Sequence, residues 1–595
     1  MSVFRFPDAV CTVESWLDGV GSSFATKLKR SSASKNLEWE LDLREEGYPI
    51  ESARIRLGAL FPAVPCELYV AAELCLQLPH VEDDGRVCLD DVCQPSDFDR
   101  PIAAVIRAIT LFKTELLQRS SNAEWREKEL HAERLSYWNR FCDQRQKSPR
   151  GRPRPRTTLV NMVDVDEWTE GEIAAFTPKG SRDRRIHTQV VTLGETDPVE
   201  LANRHGFSSG TVVKGSAVFV RLPEEFRWSP LTWPQNFHEL EKLVRSITQS
   251  HHSIAEWLSD KGWVDTSDEA VKASKSDKIG IGTKPLLVVF CHGRELYGYQ
   301  ISQSIVSLVT LPHAAPIKIV RVDPTWSLTR DYSTSAFSRR QGKHVLALGT
   351  GSLGSPIIDV LARAGVGAID IVDAQVFGPE NVSRHLLGMS SILKGKASEM
   401  AARIRKEIPG VEVRGYSGDA RTWCAENCKP GKYDLVIDLT AESSVRIFLA
   451  HVRAALLGDT PVVHAWVEPH CAATHVVATV AREPWPASDP ASTRVNAADY
   501  SAAQMRVNLP ACSQGFHPYG SADVLQAAGF SAERILDILD NGLVTSTVWS
   551  SIRSQAFFDS LGVPISTKAI VPGQGGPRDG IMLTRMLTDV LQNDA

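Results

Sequence analysis

A glycine-rich turn, Gly349-Thr350-Gly351-Ser352-Leu353-Gly354, follows the apolar run His344–Leu348 and leads straight into Ser355–Ala364, whose apolar residues recur with helical spacing. Strand, glycine turn and helix in that order make a nucleotide-binding element. Glycines let the backbone bend sharply and come close to a phosphate, while the helix behind them offers unpaired N–H groups and the positive end of its dipole. A second short strand, Ile369–Asp373, ends in a carboxylate suited to a ribose hydroxyl. Up to this point a dinucleotide and ATP satisfy the pattern equally.

Residues further along break the tie. Asn381, Arg384 and Lys396 follow, and then Asp438 at the end of the strand-like run Tyr433–Asp438. Hydride transfer has no use for this set. Adenylation of a carboxylate does, because it needs cations on a triphosphate and a carboxylate for Mg²⁺. These residues resemble the ubiquitin-activating superfamily and its bacterial sulfur-carrier relatives. The resemblance covers roughly residues 331–595 and implies that Gly349, Gly351 and Gly354 cradle ATP. It further implies Asp373 on the ribose, Asn381, Arg384 and Lys396 on the phosphates, and Asp438 on magnesium. Where the family often has a second acid two positions after the first, this chain has Gln375.

The other end of the chain carries an independent signal in Phe61-Pro-Ala-Val-Pro65 and Leu78-Pro-His-Val-Glu-Asp-Asp-Gly-Arg-Val-Cys-Leu89. This pattern is similar to ubiquitin-conjugating enzymes. It implies that Cys88 carries a thioester, that Pro79 is the turn proline, and that His80 stands where the family places an asparagine against the thioester carbonyl. An imidazole N–H can also donate to an oxyanion, so His80 is a candidate catalytic residue.

Those two signals lie far apart in a chain of 595 residues, 43% hydrophobic and of net charge −5, long enough for three or four domains. No apolar run is long enough to span a membrane and the first residues lack a secretory signal's apolar stretch, so a cytoplasmic protein with no membrane partner is expected. Eleven cysteines without Cys-x-x-Cys units suggest reduced thiols and no structural zinc. Cys424 and Cys428 read as thiols on one helix face, and His464, His470, Cys471 and His475 as residues that strand alternation sends to different faces. The cation-rich stretch Arg145–Arg156, on an acidic chain without an aromatic platform, reads as a stiff solvated linker, with no nucleic-acid partner.

The elements that must position these residues divide the chain into four parts. Residues 1–120 read as a small α+β domain with an opening helix over 9–20, strands near 37–43 and 52–60, and a helix over 100–117. A helical and basic Pro-rich linker occupies 121–156. A mixed α/β middle region, 157–330, has strand candidates at 189–193, 211–220, 286–290 and 317–322. There Gly280-Ile-Gly282 precedes a strand, so it reads as a turn and not a phosphate loop. Residues 331–595 read as a doubly wound α/β sheet, with strands at 345–348, 368–372, 412–415, 435–438 and 461–466 alternating with helices. Such a sheet binds ligands at its C-terminal strand ends, where Gly349, Asp373 and Asp438 all fall.

After a strand at 474–480 comes a long polar stretch, 483–511, followed by Cys512. In the activating family such a segment crosses over the bound C-terminal tail and carries or adjoins the catalytic cysteine. That makes Cys512 the expected nucleophile, with Cys471 next in line. The family's sheets commonly pair as homodimers, an arginine of the neighbouring subunit completing the ATP site; Arg339 or Arg340 is the candidate. A conjugating-like domain ahead of an activating-like domain resembles the fusion proteins of bacterial CBASS antiphage operons. This implies a protein substrate with a free C-terminal glycine, a cyclic-oligonucleotide synthase (CD-NTase), joined to target-protein lysines. Adenylation feeding sulfur-carrier chemistry is the alternative, and a dinucleotide-dependent dehydrogenase a more distant one.

Overall fold

A computed structural model describes residues 7–23, 25–27, 37–58, 60–89, 98–146, 157–177, 188–262, 284–306, 309–329, 334–501, 507–508, 515–516, 518–566 and 569–592. They form two compact units, one of residues 1–199 with 208–320 and one of residues 200–207 with 321–595.

The first unit opens with helix Pro7–Asp18 and a four-stranded antiparallel sheet of β1 (Thr26–Lys27), β2 (Leu37–Asp42), β3 (Ser52–Leu57) and β4 (Glu67–Tyr69). In β2, Leu37, Trp39 and Leu41 are buried and alternate with more exposed residues, the period-two pattern of a strand with one face on a core. Helix Pro101–Leu111, continued over Phe112–Gln118, packs on that face through Val105, Ala108 and Phe112. Asn122 then caps helix Ala123–Ala132 by accepting the N–H groups of Glu124 and Trp125, and helix Arg134–Gln146 follows. The expected helices and strands of this region are present.

An eight-stranded mixed sheet follows, made of β5 (Thr157–Asn161), β6 (Trp168–Thr177), β7 (Thr188–Leu193), β8 (Thr211–Arg221), β9 (Leu286–His292), β10 (Glu295–Val306), β11 (Val309–Ile317) and β12 (Val320–Arg321). Strand β9 is apolar along almost its whole length because both its faces are covered. Leu286, Val288 and Phe290 enter an aromatic core with Trp138 and Trp228, and Leu287, Val289 and Cys291 a core with Ile173 and Val191. The single strand expected over 317–322 is instead the last residue of β11 and the whole of β12, which lie at opposite edges of the sheet. Only two residues separate them, so the sheet curls until its edges come within about 10 Å of each other.

In the second unit β13 (His344–Leu348), β14 (Ala368–Asp373), β15 (Glu412–Ser417), β16 (Leu435–Asp438) and β17 (Val462–Val467) form a parallel sheet in the order β15-β14-β13-β16-β17. The chain runs outward from β13 through β14 to β15, then returns to the other side of β13 at β16. This reversal is the topological switch point of a doubly wound fold, and it falls beside the glycine turn. The crossover helices Gly354–Arg363 and Lys396–Glu407, with the long helix Ser521–Asn541, bury Ile357, Met400 and Ile535 in one core with Val345 and Ile369. Beyond β17 the sheet turns antiparallel through β18 (Ala473–Thr479), β21 (Thr547–Arg553) and the edge strand β22 (Gly580–Met586). A two-stranded ladder joins β19 (Val507–Asn508) and β20 (Gly515–Phe516). Strands β21 and β22 had not been expected. Among the described residues no helix is long and apolar enough to cross a membrane.

Candidate functional site

Strand β13 delivers the glycine turn to the C-terminal edge of the parallel sheet. Gly349 sits at φ +90°, where a Cβ would press within 3.0 Å of the Leu439 and Thr440 backbone, and a Cβ on Gly354 would lie 2.4 Å from the Gly349 carbonyl. These two positions therefore require glycine, whereas a Cβ on Gly351 would face open space. No side chain caps the helix that starts at Gly354, whose positive dipole end therefore faces the turn, although the Ser355 N–H already donates to the Gly351 carbonyl at 2.9 Å and Pro356 has no N–H to offer.

Asp373, at the end of β14, braces the turn: its Oδ2 accepts the Thr350 N–H at 2.7 Å and its Oδ1 the Gln375 N–H at 2.7 Å. From the other side His385 Nε2 donates to the Thr350 carbonyl at 2.6 Å, while its Nδ1 accepts the Leu387 N–H at 3.0 Å. Those bonds fix the neutral tautomer, and burial holds the imidazole pKa down at about 4. Thr350 Oγ1 is buried in the turn without a hydrogen-bond partner.

Asn381 and Arg384 belong to the loop between β14 and the next helix, and Lys396 is the first residue of that helix. Asn381 Oδ1 accepts the Gly378 N–H at 3.0 Å, so its side chain shapes the loop. The Arg384 guanidinium lies 4.7 Å from the centre of the Tyr519 ring, and the Tyr519 hydroxyl shares a 2.5 Å hydrogen bond with Ser352 of the glycine turn. Lys396 is only 4% exposed and donates from Nζ to Gln375 Oε1 at 2.6 Å. Burial lowers its pKa, and the charges of Asp373 and Glu380 oppose that shift. Glycine turn, ribose-type carboxylate, arginine and lysine are thus gathered round one strand end, an arrangement that fits a nucleoside triphosphate.

Asp438 does not fit the magnesium role expected of it. It is 1% exposed; its Oδ1 accepts the N–H and hydroxyl of Thr440 at 3.0 and 2.6 Å, and its Oδ2 faces His464 Nδ1 at 2.9 Å. Both oxygens are engaged inside the sheet, where in-register pairing sets Leu348, Asp438 and His464 side by side. A cation would have to displace these partners. Among the described residues no group of three His, Cys, Asp or Glu is disposed to hold a metal.

The first cysteine candidate, Cys512, lies outside the described residues, as do Gly280–Gly282 and most of the basic stretch ending at Arg156. Cys471 is 5% exposed, and burial raises its thiol pKa to about 12, which makes it a poor nucleophile in this conformation. Cys424 and Cys428 are buried. His475 belongs to the core and is satisfied there by Glu468 and Ser550. The described part of 483–511 is pinned rather than loose. Asp489 meets Arg446 in a two-pronged ion pair at 3.0 Å, Asn496 accepts the Trp466 indole N–H at 2.9 Å, and buried Glu468 accepts the Ala497 N–H and the Tyr500 hydroxyl. Arg340 is taken by an ion pair with Asp540 at 2.5 Å, and Arg339 is exposed.

In the first unit Cys88 is exposed and Pro79 buried. The Cys88 N–H donates to the His80 carbonyl at 2.8 Å. It is the backbone of His80, at φ +59°, that reaches residue 88; the ring lies 3.3 Å from Glu133 and 3.7 Å from Glu129. The buried Tyr137 hydroxyl accepts the His80 N–H at 2.7 Å and donates to Glu133 at 2.8 Å. His385 and Tyr519 are the residues that sequence reasoning missed at the nucleotide-type site, while Thr350 was read only as part of the glycine turn and His464 only as one of a group on different strand faces. Of the two missed residues only His385 had a local signal, its place directly after Arg384.

Residues 330–517 match the model of the ThiF family, so the strand-end site lies within a ThiF-type domain with a Rossmann-like sheet. Over 157 residues the chain is 31% identical to the ATP-dependent ubiquitin transferase-like protein Cap2 of Pseudomonas aeruginosa (strain BWHPSA011 / Pa011), covering 26% of this chain and 27% of Cap2. It is 33% identical over 129 residues to the adenylyltransferase and sulfurtransferase UBA4 of Lodderomyces elongisporus, covering 22% and 28%. These matches span about a quarter of the length of each relative. Among solved structures, E. coli tRNA N6-threonylcarbamoyladenosine dehydratase TcdA in complex with AMP aligns over 36% of this chain and 93% of its own, at 18% identity and a TM-score of 0.28.

Proposed function

We propose that the chain is an ATP-dependent activating and conjugating enzyme. The observation that carries this reading is the gathering of Asp373, Arg384 and Lys396 around a glycine turn whose helix N-terminus is uncapped. The likeness to Cap2 supports it. A C-terminal carboxylate of a partner protein attacks the α-phosphorus of ATP, the bond to pyrophosphate breaks, and an acyl-adenylate forms. Arg384 and Lys396 offset the charge on the phosphates as that bond lengthens. The Cys512 thiolate then attacks the acyl carbon, AMP leaves, and a thioester results. Transfer to Cys88 restores the Cys512 thiol. A lysine amine of a target protein finally attacks the Cys88 thioester, loses a proton and forms an amide as the Cys88 thiol departs.

On this reading residues 1–120 are the conjugating-like domain and 331–595 the adenylation domain, and the enzyme works in the cytoplasm as a homodimer. Its partner is a CD-NTase with a C-terminal glycine, primed by the linkage in CBASS antiphage defence. A second reading, adenylation that feeds a sulfur carrier, draws on the likeness to UBA4 and makes Cys88 dispensable. Incubation with ATP and the CD-NTase separates the two, with ATP–pyrophosphate exchange measured and reducing and non-reducing gels run side by side. Conjugation gives a band lost on reduction and one that persists. Sulfur transfer gives a thiocarboxylate on a small carrier, and absence of pyrophosphate exchange sinks both readings.

A further inference from the structure

Within the first unit, helix Arg134–Gln146 packs on one side against the eight-stranded sheet and on the other against the segment that leads to Cys88. On the sheet side Trp138 is fully buried against Trp228 and Tyr297 and donates its indole N–H to the Ile317 carbonyl at 3.2 Å, and Arg134 pairs with Glu295 at 2.5 Å. On the other side the Tyr137 hydroxyl accepts the His80 N–H at 2.7 Å, and Arg140 donates to the Val81 carbonyl and pairs with Glu82, both at 2.8 Å. His80 is where this grip matters. At φ +59° it holds a left-handed conformation that a non-glycine residue keeps only when its surroundings impose it. Val81 and Val87 pair in antiparallel register, which sets His80 opposite Cys88, and the His80 carbonyl takes the Cys88 N–H at 2.8 Å. One hydroxyl therefore lies two hydrogen bonds from the Cys88 backbone. Its single proton goes to Glu133 at 2.8 Å, which leaves a lone pair to accept from His80. Burial raises the Tyr137 pKa and so keeps that proton in place at neutral pH.

We propose that Tyr137 is a positioning residue for acyl transfer at Cys88, so that a helix rooted in the middle sheet sets the geometry of the conjugating site. The proposal rests on the reading above of Cys88 as an acyl carrier. Tyr137 acts through the His80 peptide: without its hydroxyl the His80 N–H loses its acceptor, and the left-handed turn and the Cys88 backbone relax together. The amine that attacks the thioester then meets a carbonyl that is no longer held at one angle and distance.

The test is Tyr137→Phe in the full chain, a change that keeps the ring in the aromatic core. Amide hydrogen exchange, measured without the partner protein, should quicken in peptides covering residues 78–89 and stay as in wild type across β9 and β10. Unchanged exchange over 78–89 overturns the link from Tyr137 to Cys88, and faster exchange in β9 and β10 as well overturns it in favour of a general loss of structure. Wild type and variant are then charged with ATP and the CD-NTase, the ATP is removed, and discharge of the Cys88 thioester to free lysine is timed. The variant is expected to take the charge yet to discharge on the order of tenfold more slowly at saturating lysine, with the half-saturating lysine concentration unchanged. Discharge at the wild-type rate overturns the role of Tyr137. A wild-type chain that forms no reducible adduct at Cys88 overturns the conjugating reading itself, and the proposal with it.

Discussion

His385 shows how much a single side chain decides beneath the glycine turn. With both ring nitrogens used and the imidazole pKa lowered from 6.5 to about 4, the folded state binds the neutral form. Between those values the unfolded chain takes up the proton more readily than the folded one. The stability His385 contributes is therefore complete above pH 6.5 and is lost as pH falls towards 4. This amounts to something on the order of 3 kcal/mol. Thermal melts of wild type and His385→Gln should converge as the pH drops through that window; parallel curves would show that the ring does not titrate with folding. Asp438 has a similarly internal job. Asp438→Ala removes an acceptor from Thr440 and His464 inside the sheet and is expected to cost about 2–4 kcal/mol, read as a lower Tm. Full stability with lost ATP–pyrophosphate exchange would return it to the chemistry.

At the scale of elements, the strand–turn–helix around β13 works because two backbones come close enough to exclude a Cβ. Gly354→Ala would set a methyl 2.4 Å from the Gly349 carbonyl and force the turn open. A loss of about 1–3 kcal/mol in stability, together with loss of ATP binding, is expected from denaturation and calorimetry. Much of this part of the fold was legible, because parallel strands covered on both faces read as continuous apolar runs, as in Val345–Leu348 and Leu435–Ile437. Edge strand β22 was not. Its residues alternate between exposed and half-buried: Ile581 and Leu583 pack only partly against the core while Met582 and Met586 are exposed, so apolar residues fall on both faces and no clear alternation announces the strand. The stretch after β18 reads as loose by composition, yet distant residues pin it, Arg446 on Asp489 and Glu468 on Ala497 and Tyr500.

For the whole molecule the central question is whether two thiols in different parts of the chain act in sequence. Carrying both in one polypeptide raises the effective concentration of the second thiol for the first without new contact surface. Cys88→Ala is expected to accumulate a reducible thioester and to form no reduction-stable conjugate, read by paired gels. Normal conjugation by that variant would remove the N-terminal domain from the reaction. The exposure of Cys88 is compatible with the reading, as a thiol that meets a bulky acyl donor has to be reached.

The sequence by itself determined the nucleotide-type turn, where along the chain the parallel strands fall and the candidacy of Asp373, Arg384 and Lys396, because glycine requirements and apolar runs are local properties of the chain. Tertiary structure decided which groups those residues meet. It turned Asp438 inward onto Thr440 and His464, set Gln375 against Lys396, and brought Tyr519 from far along the chain onto Arg384 and Ser352. Side-chain pairing across a fold depends on where distant strands and helices come to rest, and residue spacing along one chain carries no record of that.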